Sequence, residues 1–323
     1  MSADALLRER RPDRDASSPR NGRASARRSG PPMQGAATPW LFLLPGLAAC
    51  LIFNISPFLT TFLLAFTDAR TISPGTFTGL DNFARMADDP RFWLALRNGA
   101  LYVIGVVPPL VFLPLLLALL VRDKGPGIGF FRTVFYTPVI ASAVVVGLIW
   151  TWLLDSRGLV NGTLEALGVL KDPVPFLTDE WLLLASAMIV TIWKGLGYYM
   201  IIYLATLGRV PEELHEAAQV DGAGAIRRFF VVTLPAMRTT MTLISALSAV
   251  AAFRVFTEIF ILSGDTAGPG GRDITLVMLI REVSSGLNGH VGYGAALSLV
   301  LFGLTLGLLL SVLRLQTGRK DPR

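Results

Sequence analysis

The sequence predicts an all-α membrane protein with six transmembrane helices and both termini in the cytoplasm. Three observations carry this. Of 323 residues, 52% are hydrophobic and 16% are charged, whereas soluble chains carry about 25% charged residues. The mean hydropathy is +0.56. Six stretches are apolar over the roughly 20 residues needed to cross a ~30 Å hydrocarbon core: Trp40–Phe66, Gly99–Val121, Thr133–Leu154, Trp181–Leu207, Met241–Leu262 and Val291–Leu313.

The elements follow in order. Residues 1–39 hold eight arginines, including Arg10-Arg11 and Arg27-Arg28, and few apolar side chains, so they read as a disordered basic tail. The run from Trp40 is too long for the core of a cleaved signal and reads as a retained span, with its loop filling residues 40–94. Residues 95–314 hold the other five spans, and 315–323 form a second short tail. The two longer connections are turn-rich, with Ser73-Pro74-Gly75 in Asp68–Asn98 and Gly268-Pro269-Gly270-Gly271 in Gly264–His290. Pro45 and Pro57 in the first span and Pro108, Pro109 and Pro114 in the second each remove a helical hydrogen bond. They mark either packing kinks or bent helices around a cavity.

Charge sets the orientation. The connections on the side of both termini hold 19 Lys and Arg residues, those on the other side hold eight, and Lys194 and Arg254 lie within spans. Positive charge gathers on the cytoplasmic side, which gives both termini their place. The net charge of +6 thus reflects topology with a lipid bilayer as partner, not nucleic acid. One cysteine, Cys50, and two histidines, His215 and His290, leave no disulfide and no metal-ligand cluster.

The segment Gly208–Thr240 is too long for a simple helix connection. Pro211 suits the first position of a helix, and Glu212, Glu213 and Glu216 place negative charge at the positive end of its dipole. Glu212 and Glu216 share a face without a basic residue in the helix to offset them. Ala217 and Ala218 keep the neighbouring surface flat for another chain. Asp221-Gly222 then breaks the helix, and Leu234-Pro235 returns the chain to the membrane.

Glu216-Ala217-Ala218, three residues, Gly222, nine residues, Val232, one residue, Leu234-Pro235 resembles the EAA signature of ABC importer permeases. Val232 stands where the family usually has isoleucine, and His215 where it often has an aromatic. Gly79-Leu80-Asp81-Asn82-Phe83, Asp89-Pro90-Arg91-Phe92-Trp93, Phe131-Arg132-Thr133 and Gly292-Tyr293-Gly294-Ala295-Ala296 extend the resemblance to the maltose- and glycerol-3-phosphate-type group over about residues 40–315.

The resemblance implies a type I importer permease fold in the bacterial inner membrane. It makes 208–240 the coupling loop, with Glu212, Glu213, Glu216, Ala217, Ala218, Asp221, Gly222, Leu234 and Pro235 at the contact with an ABC ATPase homodimer. It also implies a second, homologous permease and an extracytoplasmic binding protein that delivers a carbohydrate. The chain has no G-x-x-x-x-G-K-[ST] loop, so ATP-Mg belongs to the ATPase partner and this chain binds no cofactor and is no enzyme.

Charges inside spans are costly and point to a pathway or an internal pair. Lys194 lies mid-span beside Trp193, Tyr198 and Tyr199, which suit a sugar ring and its hydroxyls or simply a packed core. Arg254 and Glu258, one turn apart, can form an ion pair within one helix, and Glu258 is also a candidate acid on another helix for Lys194. Thr257 replaces the acidic residue usual there in the family. The rival reading is an ion-coupled secondary transporter of a small polar solute, which requires more spans or a dimer and internal repeats. An intramembrane enzyme is the third class, but no span carries a G-x-S-x-G or His-rich motif.

Overall fold

A computed structural model describes residues 38–122 and 125–317. The expected basic tail through residue 37 and the end of the second tail, 318–323, lie outside the described residues. The chain divides into two units at Asn54–Ile55. The first contains helix α1 (Thr38–Cys50), with Pro45 inside it, and most of a π-helical turn, Leu51–Ile55.

The second unit begins with α2 (Ser56–Leu64), followed by α3 (Asp81–Asp88) and α4 (Pro90–Leu120). α5 (Ile128–Ile140), α6 (Ala143–Leu154), α7 (Leu159–Ala166) and α8 (Glu180–Leu207) come next. Then follow α9 (Glu212–Val220), α10 (Ala225–Arg228), a π-helical turn at Phe229–Thr233 and α11 (Leu234–Phe253). α12 (Thr257–Leu262), α13 (Leu276–Ser284) and α14 (Val291–Thr317) complete the chain. The described residues form no strand beyond two isolated bridges, Thr67 with Phe77 and Arg70 with Ser73.

Among the described residues, six helical stretches are long and apolar enough to cross a membrane: Trp40–Leu64, Pro90–Leu120, Ala143–Ala166, Glu180–Leu207, Ala225–Phe253 and Val291–Arg314. Their number matches the sequence expectation, and two of them differ in build. The third expected span is broken, since Ala141 and Ser142 are extended between α5 and α6. Pro138 weakens the last turn of α5 by withholding its amide donor. The fifth is broken at 254–256, where Phe256 leaves helical geometry (φ −142°, ψ −59°). The Val255 carbonyl left over by this break accepts a hydrogen bond from the Thr275 hydroxyl at 2.9 Å.

α4 is the centre of the bundle, packed against α8 on one side and α11 on the other, while α14 rests on α11, α13 and α2. Its three prolines sit in one continuous helix. Buried hydroxyls tie this core together. Tyr203 donates to the Val111 carbonyl at 2.8 Å, next to Pro114, and Tyr102 donates to the Ala187 carbonyl at 2.8 Å. Buried asparagines hold the loops. Asn82 bonds the carbonyls of Ala65 and Thr67, and Asn98 those of Arg272 and Ile274. Around this core Ile104, Phe112, Leu120, Ile140, Leu148, Trp152 and Ile189 stay exposed. An apolar belt of that extent needs lipid or protein as its solvent.

Candidate functional site

The first site grows from one face of α8. Thr191, Lys194, Gly195 and Tyr198 follow helical spacing of three and four, and so stack along one stripe. The stripe is brought inward by a close approach of backbones. A Cβ at Gly197 would collide with the carbonyl of Phe135 in α5, so only glycine lets the two helices meet there. The face opens on a cavity of about 330 Å³, whose other walls are Tyr102 from α4, Ser248 from α11, and Arg254, Thr257 and Glu258 at the break between α11 and α12.

Five of the six residues expected on a substrate path line this cavity: Lys194, Tyr198, Tyr199, Arg254 and Glu258. Trp193 does not. It points around the helix to Trp150 of α6, with ring centroids 5.6 Å apart in an edge-to-face contact. Of the two pairings open to Glu258, the structure makes the one between helices. Glu258 meets Lys194, at 3.6 Å between Nζ and Oε1, and not Arg254. A spacing of four brings side chains together only in a continuous helix, and the helix is interrupted between these two residues. Arg254 is exposed, whereas Lys194 and Glu258 keep 25% and 18% of their side-chain surface.

Tyr102, Thr191 and Ser248 were not among the expected site residues. Their hydroxyls give the walls hydrogen-bonding character, with Tyr102 and Thr191 2.6 Å apart. The only sequence signal for them was a hydroxyl in an apolar span. Ring faces, hydroxyls, a cation and a carboxylate around one void can hold a polyhydroxylated solute by stacking and directional hydrogen bonds.

The second site is built on α9. Pro211 stands just outside the helix, with Glu212 as its first residue. Glu212, Glu213, Glu216 and Ala217 are exposed and Ala218 is half-buried. Asp221 closes the helix and Gly222 follows in the left-handed region (φ +77°). Leu234 and Pro235 open α11, with Pro235 in its first turn and Leu234 packed against the core. Between α9 and the bundle lies a cavity of about 410 Å³ lined by Arg122, Glu212, His215, Arg228, Phe229 and Thr233. Glu212 therefore has basic neighbours from outside its own helix. Among the described residues, His215 Nε2 is buried without a partner. Burial lowers the imidazole's proton affinity, Arg122 and Arg228 lower it further, and Glu212 opposes them.

The probable ABC transporter permease protein YurN of Bacillus subtilis is 33% identical over 89% of this chain and 99% of its own length. The diacetylchitobiose uptake system permease protein NgcF of Streptomyces coelicolor is 35% identical over 82% of this chain and 78% of its own. In fold, the chain resembles a bacterial alginate ABC transporter solved with an alginate pentasaccharide-bound periplasmic protein. The TM-score is 0.72 at 24% identity, covering 84% of this chain and 91% of that one. The model of the binding-protein-dependent transport system inner membrane component matches residues 95–319, and the chain belongs to that family.

Proposed function

We propose that this chain is a membrane-spanning subunit of an ATP-driven importer that moves a carbohydrate received from an extracytoplasmic binding protein. Both termini and α9 face the cytoplasm of a bacterial cell, and the 65–80, 155–179 and 263–290 loops face outward, as the excess of Lys and Arg supports. A second, homologous permease completes the pathway, and an ABC ATPase homodimer carrying ATP-Mg docks on α9. Relatives named for lactose, diacetylchitobiose and arabinooligosaccharide transport support a carbohydrate cargo.

One observation carries the reading. The cavity and α9 lie at opposite ends of α11, whose first turn follows α9 through the Phe229–Thr233 turn and whose last residue abuts the break that bears Arg254. A displacement of α9 is thereby passed along a rigid helix to the cavity wall. Glu212, Glu213, Glu216, Ala217, Ala218, Asp221 and Gly222 form the contact with the ATPase, and Leu234-Pro235 the start of the lever. Tyr198 and Tyr199 stack the sugar ring, and Lys194, Arg254 and Glu258 address its hydroxyls.

Reconstitution into liposomes tests this. With partner permease, ATPase and binding protein present, uptake of the binding protein's sugar requires ATP inside. Uptake driven by an ion gradient without ATP would instead favour a secondary transporter.

A further inference from the structure

The loop joining α12 to α13 contains a buried carboxylate outside both sites. Asp273 is fully buried, and neither side-chain oxygen has a hydrogen-bond partner among the described residues. The polar side chains nearest it in the described residues bond elsewhere. The Asn98 amide donates to the carbonyls on either side, Arg272 and Ile274. The Thr275 hydroxyl donates to Val255. Both nearby guanidiniums, Arg97 and Arg272, are drawn to Glu180 at the start of α8, at 2.8 and 3.2 Å. Asp265 in the same loop pairs with Arg281.

The loop is shaped around this side chain. Gly268 is in the left-handed region (φ +77°), and a Cβ there would strike the Asp273 carboxylate. The Asp273 amide closes the turn on the Ala267 carbonyl at 2.8 Å, and Asp265 and Ala267 take positive φ without being glycine. Asp179 and Glu180 at the start of α8 face the carboxyl with like charge, and Arg97 of α4 is the opposing cation. An ionised, unpaired carboxylate is among the costliest groups to bury, and a neutral one is far cheaper.

We propose that Asp273 is a proton-binding site: held as the neutral acid in the closed loop, it makes residues 263–275 a clasp that acid tightens and that loosens as the medium becomes neutral. Thr275 carries the state of the clasp to Val255, in the break that walls the cavity. Burial raises the Asp273 carboxyl to about 7, and repulsion from Glu180 and Asp179 adds to this. The open loop exposes an ordinary aspartate, of pKa about 4. Between those values the closed loop holds a proton that the open loop has lost. Opening therefore rises by up to about tenfold per pH unit from about pH 4 to 7 and then levels off. This inference rests on the fold and not on the identity of the cargo.

Hydrogen exchange on the chain purified with its partner subunits in nanodiscs tests it, at pH 5, 6, 7 and 8 with correction for intrinsic rates. Peptides covering 263–275 of the wild type lose protection up to pH 7 and not beyond, and those of Asp273→Asn show no pH dependence. Infrared difference spectra show the carbonyl stretch of a protonated carboxylic acid in the wild type at pH 5.5 and its absence from Asp273→Asn. Should Asp273→Asn fail to assemble, Asp179→Asn, which keeps the helix cap, moves the midpoint to lower pH. Flat exchange in the wild type, the same pH profile in Asp273→Asn, or an unmoved midpoint in Asp179→Asn would overturn the proposal.

Discussion

Lys194 on α8 and Glu258 on α12 meet at 3.6 Å in the wall of one cavity, and α12 follows the break at 254–256. Removing one partner leaves a half-buried charge uncompensated. Lys194→Met lowers stability by about 1–3 kcal/mol, and uptake falls at least tenfold. Adding Glu258→Gln to it recovers most of the stability but not the uptake. Thermal unfolding of the purified complex and initial uptake rates read the two effects separately.

Glu216 is exposed on α9 and has no ion-pair partner among the described residues. Glu216→Lys therefore leaves the fold within about 0.5 kcal/mol of wild type. The same change puts a cation on the face proposed to dock on the ATPase. Binding-protein-stimulated ATP hydrolysis is lost, while membrane insertion and expression are unchanged. A variant with full stimulation would remove Glu216 from the coupling surface.

Gly197 is where α8 and α5 touch backbone to backbone. Gly197→Ala forces the Phe135 peptide away and costs about 1–3 kcal/mol by overpacking. The unfolding midpoint drops, and the loss grows for Gly197→Val. Gly195→Ala is milder, because its Cβ meets the flexible Leu110 side chain and no backbone.

His215 makes the α9 region sensitive to acid. Its proton affinity is lowered in the folded chain by burial and by Arg122 and Arg228. The unfolded chain thus takes up the proton first, and folded stability falls as pH drops below the ordinary histidine value of about 6.5. His215→Gln removes that dependence. Hydrogen exchange of peptides covering 212–233 at pH 5.5 and 7.5 measures it, with the wild type losing protection at the lower pH and the variant unchanged.

The sequence was most informative where the signal is local. Long apolar runs marked six spans, and Pro211, the glutamates that follow it and Asp221-Gly222 marked α9 to within a residue. The breaks were hidden because tertiary bonds sustain them. The hydroxyl that donates to the carbonyl freed by the 254–256 break is that of Thr275, 20 residues from Val255. That concealment also left the partner of Glu258 open between Arg254 and Lys194, and the break decides for Lys194. Lys194, Tyr198 and Glu258 stood out as polar groups in apolar runs, but Tyr102 and Ser248 join them only through the packing of α4 and α11 on α8. Asp273 gave no signal, since an aspartate in a glycine-rich loop reads as solvated until its burial is seen.

The central claim is that the cavity between α8, α11 and α12 is the substrate path and that ATP changes its access. In a Cys50→Ser background, Thr257→Cys places a single thiol on the cavity wall. Its labelling by a membrane-impermeant thiol reagent is measured from each side of the membrane in the assembled transporter. The account predicts labelling from the cytoplasmic side without nucleotide, a switch to the outer side with ATP trapped on the ATPase, and protection by the transported sugar. Labelling that is indifferent to both ATP and sugar would contradict it.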